Sequence, residues 1–510
     1  MKKLIVISLV LAMVMAMCGC GEKATTQTTA TEGATTATDV VAPTTETPTE
    51  QDAVVNIADV PGIEGKFSVG YARIDITPQT SVPMAGFGRT SQRMTRVVRD
   101  NLYATSVAMR DEEGTVVIFL SMDLQRASNI TVDAIRPVVS ERTGIPMDHI
   151  MLHGTHTHSG PDLNNTKEPL LAAYIEYLNP RLEQVIYESI ADLKPAEISY
   201  GSIETIGLNF VKHYQHTTAD GEVKYFGDNF GTQVLDSTTK HVTDADPTMH
   251  MLQITREGEK DIVMVNWRTH PTLTGGSTKY DLSADLVGTF RLALESQIDC
   301  EFIYFTGASG NINAKSRITA EMAALDVDHH GALMAADAIE CLKNMKKTET
   351  TKLQTKQIVL DMETNHTTDE LLVYAKQVNA MWSQGATFAE CAAFGEPWGI
   401  RSPYYAGSII SRATRPETMD VELNTITIGD EIAICTAPNE LFDTNSVYVE
   451  EHSPYAMTMT FGYSNGYRGY IPSAFGWEYT CYESDCCYFL PGCGEQIQDT
   501  FLSMLDSLAA

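Results

Sequence analysis

Short apolar runs that lead directly into small polar turns are the feature that most constrains the fold of this 510-residue chain. Runs of this length without polar residues are typical of buried strands, and longer segments between them have the spacing of helices. The predicted strands are Val116–Leu120, Ile150–Leu152, Met249–Ile254, Ile262–Val265, Phe302–Phe305, Ile432–Ile434 and Met457–Phe461. The predicted helices are Thr131–Arg142, Asp285–Gln297, Gly331–Lys346 and Thr368–Gln384. This alternation predicts an α/β fold and leaves open whether its sheets are parallel or mixed.

Five of the predicted strands are followed by turns that contain possible metal ligands or catalytic groups. Because ligands of α/β proteins collect outside the carboxyl ends of the strands, we expect these turns to share one cleft. The five turns are Gly154–Pro161, His270–Thr272, Thr306–Asn313, Ala437–Glu440 and Asn465–Tyr470.

The sharpest of these turns contains His156 and His158. Residues two apart in an extended backbone face the same side, and imidazole is the usual neutral ligand of zinc. His270 would add a third imidazole, and Glu440 would complete the ligand types of a catalytic zinc site with a position left for water. Taken singly, the histidines also fit loop or core positions, and Glu440 also fits the positive end of a helix dipole.

Other polar clusters are better explained without catalysis. A capping and solvating role at a helix start fits one acidic and histidine cluster, and a polar, turn-rich stretch predicts two exposed histidines. The first group is Asp326, Asp328, His329 and His330, and the second is His213 and His216. No GxSxG, P-loop or strand-linked GxGxxG motif is found, so a common serine hydrolase and a nucleotide-binding protein are both unsupported.

The charge balance excludes one class of partner. With 36 basic and 66 acidic residues, the formal net charge is −30. Nucleic-acid binding needs a cationic face, so we expect no nucleic-acid partner.

The N-terminus has the pattern of an export signal. Lys2 and Lys3 precede an apolar run, Leu4–Met17, that is too short to cross a bilayer of about 30 Å. The end of the run resembles a bacterial lipobox, which makes Cys20 the expected acylated residue, with Cys18 or a plain secretory signal as alternatives. We expect a signal peptide over 1–19, a flexible Thr-rich tether over 20–65 and the folded domain over 66–510. The mature protein would be exported and lipid-anchored to the outer face of a bacterial cell membrane, without a transmembrane helix.

Eight further cysteines follow, four of them within a short C-terminal segment. In an exported protein, disulfides or free thiols are favoured over a metal site, because adjacent Cys486 and Cys487 are a poor zinc spacing.

Eight motifs make the folded part resemble the neutral/alkaline non-lysosomal ceramidase family. They occur in the family's order and are spread over most of the folded part. The motifs are Gly70–Pro78, Pro83–Gly88, Leu120–Leu124, Gly154–Pro161, Asn266–Thr272, Ser283–Gly288, Pro438–Glu440 and Asn465–Ile471.

The resemblance implies layered sheets flanked by helices and a zinc-dependent cleavage of the amide of N-acylsphingosine, a step of sphingolipid metabolism. It implies zinc ligands at His156, His270, Glu440 and Tyr470. His158 would lie beside the metal as an acid or base, and Tyr482 would support the developing oxyanion.

Three departures from the family pattern bear on this expectation. Asn313 stands where the family has a nucleophilic Ser, and Asn311 where it has an Asp, so attack would be by a metal-activated water. Lys212 replaces an Arg and lacks its planar fork. The chain ends about forty residues after Tyr470, which leaves no room for the family's C-terminal immunoglobulin-like domain.

The sequence therefore predicts a lipid-anchored zinc hydrolase of a linear amide, with a lipid-like N-acyl substrate that includes ceramide among the candidates. The alternatives are a metal hydrolase of another amide, ester or glycan-linked acyl group, a zinc-binding relative without turnover, and a surface solute-binding or adhesive lipoprotein without catalysis. The sequence does not reveal acyl-chain length or oligomeric state.

Overall fold

The computed structural model describes residues 57–87, 93–163, 167–227, 235–319, 323–479 and 481–509. The expected signal peptide, the expected lipidation residue Cys20 and most of the expected tether lie outside these ranges. Within them, no helix combines the length and apolar character required to cross a bilayer.

The described residues form eleven α-helices, numbered here in chain order. They are α1 Asn129–Thr143, α2 Pro169–Ala191, α3 Leu286–Glu295, α4 Val327–Leu342, α5 Asp369–Ser383, α6 Phe388–Gly395, α7 Pro403–Arg412, α8 Asp443–His452, α9 Ala474–Glu478, α10 Tyr482–Cys486 and α11 Cys493–Ala509.

The same residues form strands that are also numbered in chain order. They are β1 Ser68–Asp75, β2 Val97–Val98, β3 Tyr103–Arg110, β4 Val116–Met122, β5 Ile150–Gly154, β6 Lys194–Glu204, β7 Phe210–Val211, β8 His213–Thr217, β9 Val223–Gly227, β10 Lys240–His241, β11 Thr248–Arg256, β12 Asp261–Trp267, β13 Asp281–Leu282, β14 Cys300–Thr306, β15 Ile312–Asn313, β16 Lys346–Lys347, β17 Leu353–Glu363, β18 Thr418–Ile428, β19 Ile432–Thr436, β20 Glu440–Leu441, β21 Met457–Phe461 and β22 Tyr470–Ile471.

Two mixed sheets dominate the fold. The larger has nine strands, in the order β14-β12-β11-β6-β1-β3-β4-β5, with β16 beside β6. Its β4–β5 and β12–β14 pairs are parallel, while β1–β3, β3–β4, β6–β11 and β11–β12 are antiparallel. The smaller runs β17-β18-β19-β21, with β19 and β21 parallel. The predicted α/β class is confirmed, and the question of sheet type is answered as mixed.

The two sheets pack face to face over a shared apolar core. Phe119 and Phe305 of the larger sheet contact Phe461 of the smaller one, and the rings of Phe305 and Phe461 stack with centroids 4.2 Å apart. Burying side chains of this size contributes about 2–3 kcal/mol each. Helices α1 to α4 cover the larger sheet, and helices α8 and α11 cover the smaller one. The result is a layered arrangement of helices, two sheets and helices.

Each strand predicted from an apolar run lies within one of seven strands, β4, β5, β11, β12, β14, β19 or β21. The four predicted helices correspond to α1, α3, α4 and α5. Helix α4 starts at Val327, before the predicted Gly331, because the Asp326 side chain caps it by accepting a hydrogen bond from the His329 backbone N–H. His330 on the same helix is fully buried and hydrogen-bonds the Leu208 carbonyl, so its predicted solvated role is wrong.

Helices α5, α6 and α7 form a helical subunit with a small core of their own, which we call the helical arm. Val378, Cys391 and Ile409 are fully buried within that core. Helix α6 begins with a capping box in which the Thr387 and Glu390 side chains each accept a hydrogen bond from the other's backbone N–H. These local contacts hold the arm as a defined unit.

No disulfide joins the eight cysteines in the described residues, and Cys486 is the one that is partly exposed. For the four C-terminal cysteines, the sequence left disulfides and free thiols open, and the structure contains thiols. Burial raises the pKa of Cys435 to about 12. This thiol therefore does not ionise near neutral pH and is not oxidised through a thiolate.

Candidate metal centre

The candidate site lies where strands of both sheets end. Hydrogen bonds join these ends. The Gly307 N–H donates to the Trp267 carbonyl at 2.7 Å, and the Gly462 N–H donates to the Thr306 carbonyl at 3.1 Å. His270 forms an isolated parallel bridge with Asn313. The predicted turns therefore meet at one place, as their position after buried strands indicates.

His153, the last but one residue of β5, ties three of these ends together. Its Nδ1–H donates to the Gly462 carbonyl at 2.8 Å, and its Nε2 accepts from the Thr306 N–H at 2.9 Å. Burial lowers the pKa of His153 to about 3, so the ring stays neutral and can hold both bonds.

His156 follows β5 and is 1% exposed. Its Nδ1–H donates to the Gln125 carbonyl at 2.7 Å, so Nε2 is the nitrogen with a free lone pair. The backbone φ of 67° is left-handed, which is uncommon for a residue with a side chain. The ring stacks on Tyr463, with centroids 3.9 Å apart. A carbonyl behind the ring and an aromatic face beside it fix the direction of Nε2.

His270 follows β12 and is held in the same way. Its Nδ1–H faces the carbonyls of Ser309 at 2.7 Å and Ile312 at 3.0 Å. Burial, together with the positive charge of Lys212, lowers the pKa of His270 to about 4. The imidazole is thus neutral, and its Nε2 lone pair points toward His156, whose ring centroid lies 4.7 Å away.

Glu440 supplies the carboxylate. Its Oε2 lies 3.4 Å from His156 Nε2 and 3.2 Å from His270 Nε2, and its Oε1 accepts a hydrogen bond of 2.6 Å from the Tyr467 hydroxyl. Burial alone would raise the pKa of Glu440, but the two histidines outweigh it and hold this pKa well below its usual range. Glu440 lies in strand β20, three residues before the first residue of α8, and not in a helix.

The donor atoms of these residues fit a divalent metal ion. His270 Nε2 and Glu440 Oε2 are both buried and have no hydrogen-bond partner in the described protein. Buried polar atoms are almost always paired, and two unpaired atoms facing one another are a strong indication of a missing cation. Two imidazoles and a carboxylate are a ligand set suited to zinc.

His158 and two tyrosines complete the site. His158 Nε2 is 3.3 Å from His156 Nε2, and the ligand nitrogens of the three histidines lie within 4.8 Å of one another. His158 is therefore also close enough to coordinate. Tyr470 pairs with Glu440 in the β20–β22 ladder, and its ring lies 5.6 Å from that of Tyr482. Burial, followed by the charge of Glu440, raises the pKa of Tyr470 well above its usual value.

Asn313 lies beside the candidate metal ligands through its backbone bridge to His270. Asn311, which stands where the family has an Asp, forms two hydrogen bonds with Asp443. Its Nδ2 donates to the carboxylate, and its Oδ1 accepts from the Asp443 N–H. Ser309 Oγ is bonded to the Tyr463 hydroxyl at 2.7 Å. This neighbouring serine hydroxyl is thus engaged at the edge of the site.

The prediction that His213 is exposed is wrong. His213 is 1% exposed, and its Nε2 is 2.7 Å from Glu483 Oε2, while Lys212 Nζ is 2.8 Å from Glu483 Oε1. Lys212 Nζ also lies over the Tyr470 ring, 5.5 Å from its centroid. The polar sequence around His213 indicated a surface turn, whereas Glu483 at the start of α10 covers it.

Three functional positions were missed from the sequence alone. Tyr467 lies in the Asn465–Ile471 motif, which is a usable signal, but the motif does not show that its hydroxyl donates to Glu440. Nothing local indicated that Tyr463 stacks on a ligand or that Glu483 pairs with Lys212. The two members of each of these pairs are too far apart in the sequence for the spacing of a motif to predict their contact.

Comparison with known proteins agrees with this geometry. Residues 67–315 match the family described as neutral/alkaline non-lysosomal ceramidase, N-terminal. No curated protein matches the chain. The solved structure of neutral ceramidase from Pseudomonas aeruginosa is similar with a TM-score of 0.64 at 15% identity, over 87% of this chain and 74% of that one. A ceramidase described as complexed with C2 is similar with a TM-score of 0.63 at 14% identity, over 87% and 75%.

At these identities the likeness to the solved structures shows a shared fold. The family match covers His156, His158, His270 and Asn313, while Glu440, Tyr470 and Tyr482 come from the part of the chain beyond it. The stretch from residue 67 to residue 315, which contains all three histidines of the site, belongs to the neutral/alkaline non-lysosomal ceramidase family as its N-terminal domain.

Proposed function

We propose that this protein is a zinc-dependent hydrolase of an N-acyl amide bond. The observation that carries the proposal is the meeting of His156 Nε2, His270 Nε2 and Glu440 Oε2 in a buried site, with the last two unpaired. The family of the matched stretch supports the same reaction class.

His156, His270 and Glu440 would hold the zinc ion, with Tyr470 as the fourth ligand. A bound zinc ion supplies Lewis-acid polarisation of the amide carbonyl and activates a water molecule for attack. The carbonyls behind His156 and His270 keep both Nε2 lone pairs directed at the ion. The hydroxyl of Tyr467 keeps Glu440 turned toward the histidines.

The remaining residues would handle protons and charge. The water oxygen bonds to the carbonyl carbon, the C–N bond breaks, and the amine leaves with a proton. His158 Nε2 is placed to take the proton of the attacking water and return it to the amine. Tyr482, whose ring borders Tyr470, would donate its hydroxyl to the carbonyl oxygen as negative charge develops.

Water, and not a side chain, would be the nucleophile. Asn313 has an amide, which does not attack a carbonyl in this way. Ser309 Oγ is hydrogen-bonded to the Tyr463 hydroxyl, Ser316 Oγ is hydrogen-bonded to His241 Nε2 at 2.8 Å, and both serines are fully buried. Neither serine stands at the position of the family's nucleophile, which is Asn313 in this chain.

The substrate would be a lipid-like N-acyl amine, with ceramide as one candidate. The similar solved ceramidase that is described as complexed with C2 supports this substrate class. We further propose export and attachment to the membrane through acylated Cys20, which places the site where such lipids occur. Metabolic labelling with a fatty acid, compared between the wild type and Cys20→Ser, tests the anchor directly.

The central experiment measures bound zinc by elemental analysis in the protein from residue 57 onward. About one zinc per chain is expected in the wild type, with loss in His156→Ala and in His270→Ala. His329→Ala is the matched control because this imidazole is exposed and pairs with Asp326. Hydrolysis of a short-chain ceramide, measured as the fatty acid released, should be lost in the same two variants.

A wild-type protein that binds no zinc after reconstitution would contradict the proposal and favour the ligand-binding lipoprotein. Zinc binding without release of fatty acid from any N-acyl substrate would indicate a relative without turnover.

A further inference from the structure

A cleft of about 570 Å³ separates the helical arm from the main body of the fold. One wall carries Trp382 and Tyr404 of the arm. The other carries Phe87, Arg93, Lys279 and Tyr280. None of the described residues that line the cleft is acidic, although the chain has a formal charge of −30.

Aromatic contacts connect both walls of the cleft to residues of the candidate metal centre. The Phe87 ring lies edge-on to His158, with centroids 5.4 Å apart. Across the cleft, Tyr404 contacts Tyr482, and Tyr482 contacts Tyr470, each with centroids 5.6 Å apart. The cleft and the candidate metal centre therefore adjoin one another along a border of aromatic side chains.

Arg93 carries a positive charge that no described carboxylate neutralises. The residue is 4% exposed, and its guanidinium donates to the carbonyls of Ala85 and Lys279 and to Ser159 Oγ. All three acceptors are neutral. Burial lowers the pKa of Arg93 to about 10, which still leaves it charged at neutral pH. Buried charges are normally paired, so a missing partner indicates an external anion.

Lys279 adds a second cation at the mouth of the same cleft. It is exposed, and its Nζ lies 5.2 Å from the centroid of the Tyr280 ring. Neither Lys279 nor Arg93 is matched by an acidic side chain among the described residues that line the cleft.

We propose that this cleft binds an anionic group of the N-acyl substrate, between aromatic walls and beside Arg93 and Lys279. The preferred substrate class is then an N-acyl amine that bears a carboxylate or a similar anion, rather than a neutral N-acyl amino alcohol. This inference rests on the proposed function for its catalytic consequence, and the binding of the anion itself can be measured separately.

Two substrates that differ in one group test the proposal. N-dodecanoylglycine and N-dodecanoylethanolamine share the acyl chain and the amide, but only the first has a carboxylate. We expect kcat/KM of the zinc-loaded wild type to favour N-dodecanoylglycine by about tenfold or more, since one favourable charge contact contributes about 1.4 kcal/mol or more, equivalent to a factor of ten. The preference should decrease as salt is raised.

Lys279→Glu should reverse the sign of the field at the mouth and lower the ratio of the two kcat/KM values by at least tenfold. Lys343→Glu is the matched control, because Lys343 is exposed at the end of α4 and pairs with Glu340. Arg93→Gln removes the buried positive charge, and circular dichroism shows whether that variant is folded.

Dissociation constants for both compounds, measured by equilibrium dialysis, test the binding of the anion even if neither compound is hydrolysed. A wild-type ratio near one that Lys279→Glu does not change, in both rates and dissociation constants, would overturn the inference and leave the hydrolase proposal intact. No hydrolysis of either compound, with tighter binding of the glycine conjugate, would support the anion site and contradict the proposed hydrolysis.

Discussion

The ring of Tyr463 lies flat against the imidazole of His156, with centroids 3.9 Å apart and an angle of 22° between the planes. Both residues have left-handed backbones, with φ of 54° and 67°. Such conformations cost about 1–2 kcal/mol each and persist where the surroundings hold them. The hydrogen bond between the Tyr463 hydroxyl and Ser309 Oγ provides that support. The stack therefore fixes the orientation of the His156 ring, the candidate metal ligand.

Tyr463→Ala should weaken zinc affinity by about tenfold to a hundredfold, because groups that orient ligands commonly contribute that much. Tyr463→Phe keeps the stack and loses only the bond to Ser309, so we expect a smaller decrease. Competition with a chromophoric chelator measures both affinities. Wild-type affinity in the Ala variant would show that the stack does not position His156.

Gly310→Ala should damage the metal centre from behind. A Cβ at Gly310 would lie 2.4 Å from the backbone oxygen of Glu440, which forces the β20 strand to move. We expect a loss of about 1–3 kcal/mol in the free energy of unfolding and a reduced zinc content. Urea denaturation and elemental analysis provide the two measurements.

Gly407→Ala is the matched control for that substitution. No atom lies within 4 Å of a Cβ at Gly407, which is inside helix α7. Alanine should stabilise this helix by about 0.5–1 kcal/mol and leave the zinc content unchanged. Equal effects of the two substitutions would contradict the steric argument.

Glu483→Gln should destabilise the protein by about 3–5 kcal/mol, because it leaves the buried Lys212 ammonium without its carboxylate. Lys212→Met combined with Glu483→Gln should recover much of this loss. The exposed pair Glu340 and Lys343 provides the control, since Glu340→Gln should cost no more than about 1 kcal/mol. Denaturant titration of the wild type, Glu483→Gln, Lys212→Met and the double variant gives the coupling energy, and simple additivity of the two single effects would disprove the pairing.

The same carboxylate predicts a dependence of stability on pH. Burial would raise the pKa of Glu483, but Lys212 and His213 hold it well below the usual value of 4.5. Its contribution is present above pH 4.5 and is lost as the pH falls toward the lower pKa of the folded state. Glu483→Gln should remove this part of the acid sensitivity.

Asp100 should act in the opposite direction. Burial raises its pKa from 3.8 to about 6, although Ser283 and the Ala284 N–H hydrogen-bond it. The folded state then binds more protons than the unfolded state between these values, so stability decreases as pH rises from about 4 to 6. The effect should be of order 2 kcal/mol, below the full shift because 28% of the side chain is exposed.

Asp100→Asn should flatten that part of the stability curve, as measured by denaturation at several pH values. Asp328→Asn, at an exposed carboxylate bound to Arg99, serves as the control and should retain the slope. An unchanged slope in Asp100→Asn would assign the pH dependence to another group.

The buried strands were predictable because they are continuous apolar runs. All seven residues of β4 are buried, and this sequence has no other stable placement than a core strand. Strand β17 was missed for the opposite reason. Residues along β17 are mostly half-exposed, so the apolar pattern is weak there, although the strand pairs with β18 over eleven residues.

The candidate site was predictable in its ligand types and only in part in its surroundings. His156, His270 and Glu440 follow strand ends, and that position alone predicts a common cleft. His213 was misplaced because its neighbours are polar, while its partner Glu483 is 270 residues away in the chain. Arg93 likewise looks like an ordinary surface residue until the fold buries it.

The sequence by itself determined the α/β class, the core strands and the set of imidazoles and carboxylate at their ends. These features depend on local periodicity and on the residues next to each strand. Only the tertiary structure decided which nitrogen of each histidine is free, that Tyr463 braces His156, and that a cationic cleft adjoins the site. Those properties depend on burial and on contacts between distant segments, because packing sets both desolvation and the partner of each polar atom.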